Sequence, residues 1–327
     1  RIGAIIRTFQ LTPEEDFMQT GKVPGNILYR SVTNLIGRGP VAARDCADLG
    51  KSDGRVIAST QTGTMGNDIS LRMAVYKAAN NIWSAGGRLV GIQAAFLLRE
   101  DAEEQELKAM TRNILRACGN CHTVLTGGHT EVCEGLSHNM VTVTAIGEAD
   151  EYAYPPKTAP GDAIVAIGTV GIEETAYILG DEQMYGKLLT RFSARYLEPV
   201  KECEAWIPIE DEAAVAGKFG VKVMHDASDG GIFGALWDMA LGTHRGFRVD
   251  LKAIPFRQEI VEISTYLGLN PYRMKSSGCF IAVTPDGAGL VEAMRREGMP
   301  ACIIGYTTDN NDKILCNDEE ISYLERK

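Results

Sequence analysis

Apolar and polar positions recur with two different periods along the first half of the chain. Arg55-Val56-Ile57-Ala58-Ser59-Thr60 is rich in residues that favour extended backbone and predicts a strand. A glycine-bearing loop follows, and then Leu71, Val75, Ala78 and Ile82 recur near helical spacing, which predicts a helix from Ile69 to Ala85 with one apolar face. A second helix is predicted from Ala102 to Ala117. Its first turns are acidic, which complements the positive end of the helix dipole; Leu107, Met110 and Ile114 share one face, and Gly119 lies beyond its end. Val124-Leu125 and Met140 to Ile146 read as further strands.

Tyr154-Pro155-Pro156-Lys157-Thr158-Ala159-Pro160-Gly161 then breaks the pattern, because proline lacks the amide donor that helices and central strands need. It places a boundary between an amino-terminal domain, 1–154, and a carboxy-terminal domain, 155–327. Beyond it come a strand from Ala163 to Ile167, a helix from Ala213 to Phe219, a strand at Lys222-Val223-Met224, a glycine-rich turn, and a helix from Ile232 to Leu241. The expected fold combines α/β and α+β architecture. Two domains also suit 327 residues, since single cores stop growing at roughly 250–300.

Composition excludes several classes. A formal net charge of -10 and a pI near 5.1 disfavour a phosphate-backbone binder, so no nucleic acid is expected as a partner. The longest strongly apolar stretch, Leu89 to Leu98, contains Gln93 and falls well short of the ~20 residues that cross a bilayer, so no membrane span is expected. Arg1 to Arg7 lacks the pattern of a signal peptide, which predicts a cytoplasmic protein. Eight cysteines are too few for a dense disulfide framework at this length, and they read as buried free thiols. Cys118-Gly119-Asn120-Cys121-His122 has the spacing of a covalent haem attachment site. So short a motif arises easily by chance, and Cys133, His129 and His138 do not complete a four-ligand zinc spacing. Neither haem nor zinc is expected.

Candidate chemistry lies in three glycine-bearing segments. In Met224-His225-Asp226-Ala227-Ser228-Asp229-Gly230-Gly231, adjacent glycines allow close backbone approach, and the helix start that follows can receive a phosphate. The same Asp226, Ser228 and Asp229 also read as a turn and helix cap. Thr126-Gly127-Gly128-His129-Thr130-Glu131-Val132 reads as a second such turn, and Gly63-Thr64-Met65-Gly66-Asn67-Asp68-Ile69 as a third. His129 and His225 fit either a site or a satisfied loop histidine, and neither is assigned as a base. No Gly-x-x-x-x-Gly-Lys-Ser/Thr loop and no Gly-x-Gly-x-x-Gly fingerprint occurs, so a different nucleotide fold is needed.

Taken in order, these segments resemble the aminoimidazole-ribonucleotide (AIR) synthase superfamily, in the branch near the hydrogenase maturation factor HypE. The likeness runs through Gly21-Lys22-Val23-Pro24, Ala43-Arg44-Asp45-Cys46-Ala47, Asp68-Ile69 and Ala79-Asn80-Asn81 to Gly86. It continues through Gly127 to Val132, Gly161-Asp162, Gly168 to Glu173, His225 to Gly231 and Ser276-Ser277-Gly278. The resemblance implies two domains, a homodimer whose amino-terminal sheets pair into a barrel, and ATP with Mg²⁺ used to activate an oxygen by phosphoryl transfer. It places nucleotide contacts at Gly63, Asp68, Asn81, Gly127, Gly128, His129, Thr130, His225, Asp226, Ser228, Asp229, Gly230 and Gly231, and metal contacts at Asp45, Gln61, Asp68 and Asn81.

The departures from the family pattern weaken the expected metal site. Gln61 and Asn81 stand where relatives commonly carry aspartates, and Glu174 replaces a small glycine, adding bulk and charge at an expected turn. An ATP-dependent enzyme is one expectation, and a nucleotide- or metabolite-binding dimer that has lost turnover is the other. Hydrogenase maturation is disfavoured because that factor bears a terminal cysteine whereas this sequence ends Tyr323-Leu324-Glu325-Arg326-Lys327; selenophosphate synthesis lacks its glycine loop with Cys or Lys near the amino terminus.

Overall fold

A computed structural model describes residues 21–22, 27, 29–35, 55–65, 68–149 and 157–325. Among them the amino-terminal half comprises β1 (Gly21–Lys22), β2 (Arg55–Thr64), α1 (Asp68–Ser84), β3 (Arg88–Leu98), α2 (Glu104–Asn120), β4 (Leu125–Val132) and β5 (Met140–Ala149). The strands form one sheet in the order β1-β4-β3-β5-β2, in which β3 and β4 run parallel and the other pairs antiparallel. Alternate residues face the helices: Val141, Val143 and Ala145 of β5 and Ala94, Phe96 and Leu98 of β3 are buried there. Each large side chain so enclosed contributes about 1.5–3 kcal/mol of transfer free energy.

The carboxy-terminal half comprises β6 (Ala163–Gly168), α3 (Ile172–Gly180), α4 (Glu182–Leu189), α5 (Ala194–Lys201), α6 (Glu210–Phe219), β7 (Val223–Asp226), α7 (Gly231–Thr243), β8 (Phe247–Asp250), α8 (Gln258–Leu267), β9 (Cys279–Thr284), α9 (Gly287–Arg296), β10 (Ala301–Thr307), β11 (Lys313–Asn317) and β12 (Glu320–Tyr323). Its sheet has the order β12-β11-β8-β10-β6-β9-β7. The central strands β6 and β9 are almost wholly buried and read as continuous apolar runs, as strands covered on both faces do. Residues 150–156, where the sequence places the domain boundary, lie outside the described residues.

Two expectations change. Gly127 to Thr130 is not a turn but the middle of β4, with its ladder to β3 in place. A glycine pair usually signals a turn; here Gly128 has φ +148, and any Cβ on it would fall into the backbone of Ala94. Likewise β2 continues to Thr64, so Gln61 and Gly63 are strand residues, and a Cβ on Gly63 would meet the carbonyl oxygen of Ser70 at 2.6 Å.

α1 links the halves. Its apolar side lies on β2 and β5, while Arg72, Tyr76, Lys77 and Asn80, spaced along the other side, are buried as well, because the carboxy-terminal half covers them.

Candidate functional site

Three strand ends open at one edge of the seven-stranded sheet. β9 lies between β6 and β7 and antiparallel to both, pairing Gly168 with Cys279 and Asp226 with Phe280. The segments leaving β6 and β7 therefore meet the one entering β9, although Gly171 to Glu173, Asp226 to Gly231 and Ser276 to Gly278 are far apart in sequence. The Gly171 amide donates to Ser276 Oγ at 2.8 Å, the Ser276 amide to the Ser228 carbonyl at 3.2 Å, and the Ser277 amide to Glu173 Oε2 at 3.3 Å. Close approach demands glycine here: at Gly231, φ +63, a Cβ would lie 2.5 Å from the Met274 carbonyl oxygen.

α1 presents Lys77 to this edge. Lys77 Nζ donates to Asp229 Oδ2 at 2.7 Å and stands 3.9 Å from Glu173 Oε1. Burial pushes the carboxyl of Glu173 above its ordinary range, and Lys77 and the Ser277 bond only partly offset this. Asp226 is raised by burial too, against the pull of Ser228, His225 and Lys77. Glu173 Oε1, Asp226 Oδ2 and Ser277 Oγ are all buried without a hydrogen-bond partner. Such atoms are uncommon in folded proteins and each costs about 1–3 kcal/mol, so this spot is suited to a cation or to a ligand that supplies donors.

The neighbouring contacts of α1 are saturated. Arg72 holds both oxygens of Glu204, with Nη2 2.8 Å from Oε2, and also donates to Asn113; the Tyr76 hydroxyl donates to Glu204 Oε1 at 2.9 Å. Burial alone would raise Glu204, but the Arg72 bond and charge and the Tyr76 bond bring it below its ordinary range. Asn80 Nδ2 donates to the Ile207 carbonyl at 2.9 Å, and its Oδ1 accepts from the Ile209 amide at 3.2 Å.

The expected metal residues are dispersed. Asn81 Nδ2 donates to Ser59 Oγ at 2.8 Å, and Gln61 lies on the same inner face of β2, paired with Val143. Asp68 begins α1, thirteen residues before Asn81. At a helical rise of about 1.5 Å per residue these two stand about 20 Å apart, so within one chain they cannot share a metal ion. Asp45 lies outside the described residues. Among the described residues, no three His, Cys, Asp or Glu side chains are grouped to hold a metal. With Lys77 Nζ already among the carboxylates, the cluster does not fit a resident Mg²⁺, which needs several oxygens at about 2.0–2.1 Å.

The expected nucleotide contacts divide into two groups. Asp226, Ser228, Asp229, Gly230 and Gly231 reach the Lys77 edge. Asp226 Oδ1 accepts from the Ser228 amide at 3.2 Å and hydroxyl at 2.8 Å, so the turn-forming role holds as well. His225 Nδ1 lies 2.8 Å from the Asp226 carbonyl oxygen, so the ring is satisfied locally, but the residue belongs to β7 and not to a loop. His129 instead stands on the outer face of the first sheet, 3.2 Å from Glu131, while Thr130 on the opposite face is buried. Glu174 lies in the first turn of α3 and not at an open turn, its amide donating to the Lys275 carbonyl at 2.9 Å. Cys118 and Cys121 are buried at the end of α2; burial pushes the Cys118 thiol up to about 12 and raises Cys121 as well. Lys77, Glu173 and the unpartnered hydroxyl of Ser277 are the site residues that sequence reasoning missed. A lysine at mid-helix offers no local sign that it is buried.

Two cavities open beside neighbouring segments. One, of about 770 Å³, opens beside the start of α1 among Met65, Asp68, Arg72, Arg99 and Arg116. The other, of about 700 Å³, lies among Gly168, Thr169, Trp206, Arg257 and Gly278. Among the described residues no helix is long and apolar enough to cross a membrane.

Known proteins share this fold. Residues 43–149 match the AIR synthase related protein N-terminal domain, and residues 159–316 match the C-terminal domain of the same family. Carbamoyl dehydratase HypE of Rhizobium leguminosarum bv. viciae is 27% identical over 248 residues, 73% of this chain and 68% of that protein. The crystal structure of E. coli HypE superposes with a TM-score of 0.74 at 18% identity, covering 92% of this chain and 96% of that one. A HypE structure in complex with ATP gives 0.70 at 18% identity over 92% and 94%. The two matched domains span most of the sequence, and the chain belongs to the AIR synthase related family.

Proposed function

We propose that the protein binds ATP between its two sheets and transfers the terminal phosphoryl group to an oxygen of a small-molecule or protein-borne substrate. The observation that carries this reading is the convergence of Gly171–Glu173, Asp226–Gly231 and Ser276–Gly278 on Lys77, leaving three buried oxygens without partners. Family membership supports a nucleotide as the ligand, and a HypE structure of the same fold is in complex with ATP. Lys77 would offset charge developing on the phosphoryl oxygens, and the Ser277 hydroxyl would orient one of them. No step is assigned to Mg²⁺.

A second reading, a nucleotide- or metabolite-binding protein without turnover, is favoured by the amides at Gln61 and Asn81, the latter engaged with Ser59. Calorimetric titration with ATP together with an assay for ADP release separates the two. Binding with ADP formation supports the enzyme, binding without it supports the second reading, and no binding removes the enzyme and the ATP-binding form of the second reading.

The proposed protein is a homodimer. The outer face of the first sheet supports this, since Val56, Ala58, Thr60 and Thr62 are exposed along the edge strand β2. Light scattering should give twice the chain mass, and a monodisperse monomer at micromolar concentration would contradict it.

A further inference from the structure

We infer that the ammonium group of Lys77 is the resident cation of this site, held between Asp229 and Glu173 in place of a divalent metal ion, so that phosphate-bearing ligands bind here without free Mg²⁺. The exclusion of metal stands on geometry alone; only the identity of the ligand rests on the ATP reading above.

Lys77 sits at the middle of α1 and is only 9% exposed, so its stem is enclosed and its head is confined to the junction of the two halves. An ammonium carries three donors. One serves Asp229 at 2.7 Å, and the nearest carboxylate beyond is Glu173, whose Oε1 is 3.9 Å away and has no hydrogen-bond partner of its own. Glu173 is fully buried and Asp226 is 5% exposed, and each carries a buried oxygen that no hydrogen bond satisfies. A metal ion ligated by these oxygens would sit beside an ammonium in a poorly solvated pocket, where like charges repel strongly.

Among the described residues, the amino-terminal positions next to Lys77 supply no compensating acid. Asn81, one turn beyond Lys77 on α1, and Gln61, on the inner face of β2, are neutral, and the Asn81 amide is engaged with Ser59. The acidic groups of the cluster come from the carboxy-terminal half, and Lys77, with Lys275 farther from Glu173, answers them. An arriving phosphate can take over the donors of Lys77, because the Asp229 side chain is 65% exposed and can turn to water. That exchange needs no dissolved cation.

The test titrates Mn²⁺ into the full-length chain without nucleotide, reading free ion by electron paramagnetic resonance. Wild type and Lys77→Arg should bind it weakly. Lys77→Met should gain a site at least about tenfold tighter, and the gain should vanish in the Lys77→Met/Glu173→Gln double variant. One tight Mn²⁺ per wild-type chain, or a folded Lys77→Met protein with no gain, overturns the inference. Should Lys77→Met fail to fold, wild type still decides. ATP affinity in EDTA and in Mg²⁺ should agree within about threefold, and a tightening by Mg²⁺ of about tenfold or more overturns the inference. If ATP binds under neither condition the ATP reading fails, while the wild-type Mn²⁺ titration still decides the role of Lys77.

Discussion

Arg72 and Lys77 project from the same side of α1 into the same carboxy-terminal half, yet they meet opposite surroundings. Arg72 closes a network in which both oxygens of Glu204, the Tyr76 hydroxyl and Asn113 are engaged. Lys77 enters a cluster with more acid than base, in which Glu173 Oε1, Asp226 Oδ2 and Ser277 Oγ lack partners. A saturated polar network between two layers fixes how they dock. An unsaturated one at the same depth marks a place where something else completes the bonding.

The largest effect should come from breaking the saturated member. Arg72→Met leaves Glu204 buried opposite an apolar side chain and should destabilise the fold by about 3–5 kcal/mol in urea denaturation. Lys77→Met should cost about 1 kcal/mol, since Asp229 faces solvent and Glu173 and Asp226 can retain protons. Equal losses at the two positions would erase the distinction.

Acid should sharpen it. The lowered folded value of Glu204 contributes stability that is fully present above the unfolded carboxylate pKa of about 4.3 and is lost as pH falls through the folded value. Glu173 and Asp226 are raised, so their contributions have the opposite sign: stability is lost as pH rises from the unfolded values of about 4 through the folded ones. Denaturation midpoints measured from about pH 3 to 8 should therefore show Glu204→Gln flattening the acid side and Glu173→Gln flattening the loss toward neutral pH. The same slope in both variants would mean that neither carboxyl is perturbed as its surroundings dictate.

The smallest effect concerns the amides. Asn81→Asp and Gln61→Asp add carboxylates beside Lys77 and on the inner face of β2, and should shift stability by less than about 0.5 kcal/mol. Each added carboxylate should nevertheless introduce a Mg²⁺ dependence of nucleotide binding that the wild type lacks, non-additively in the double variant if both face one ion. Calorimetry with and without Mg²⁺ checks this, and unchanged affinities in both variants would remove the two positions from the site.

Much of this could be read from the sequence where local pattern governs. The periodic apolar residues of α1 and α2 and the runs of β6 and β7 announce their elements, and the glycine-rich segments announce the site edge. Gly127-Gly128 misleads because the same residue that permits a turn also permits a strand to press against Ala94. The short helices α3 to α5 gave little signal: α5 even carries Pro199. Lys77 was illegible for a different reason. Its partner Asp229 lies 152 residues away, and nothing local distinguishes a lysine meeting solvent from one meeting a second domain.

The most direct test of the site is a crystal structure of the full chain soaked with a non-hydrolysable ATP analogue. Phosphate density within hydrogen-bond reach of Lys77 Nζ and Ser277 Oγ, between α1 and the loop from Asp226 to Gly231, is the predicted result. Well-ordered nucleotide bound only elsewhere, for example in the cavity beside Arg99 and Arg116, would contradict it.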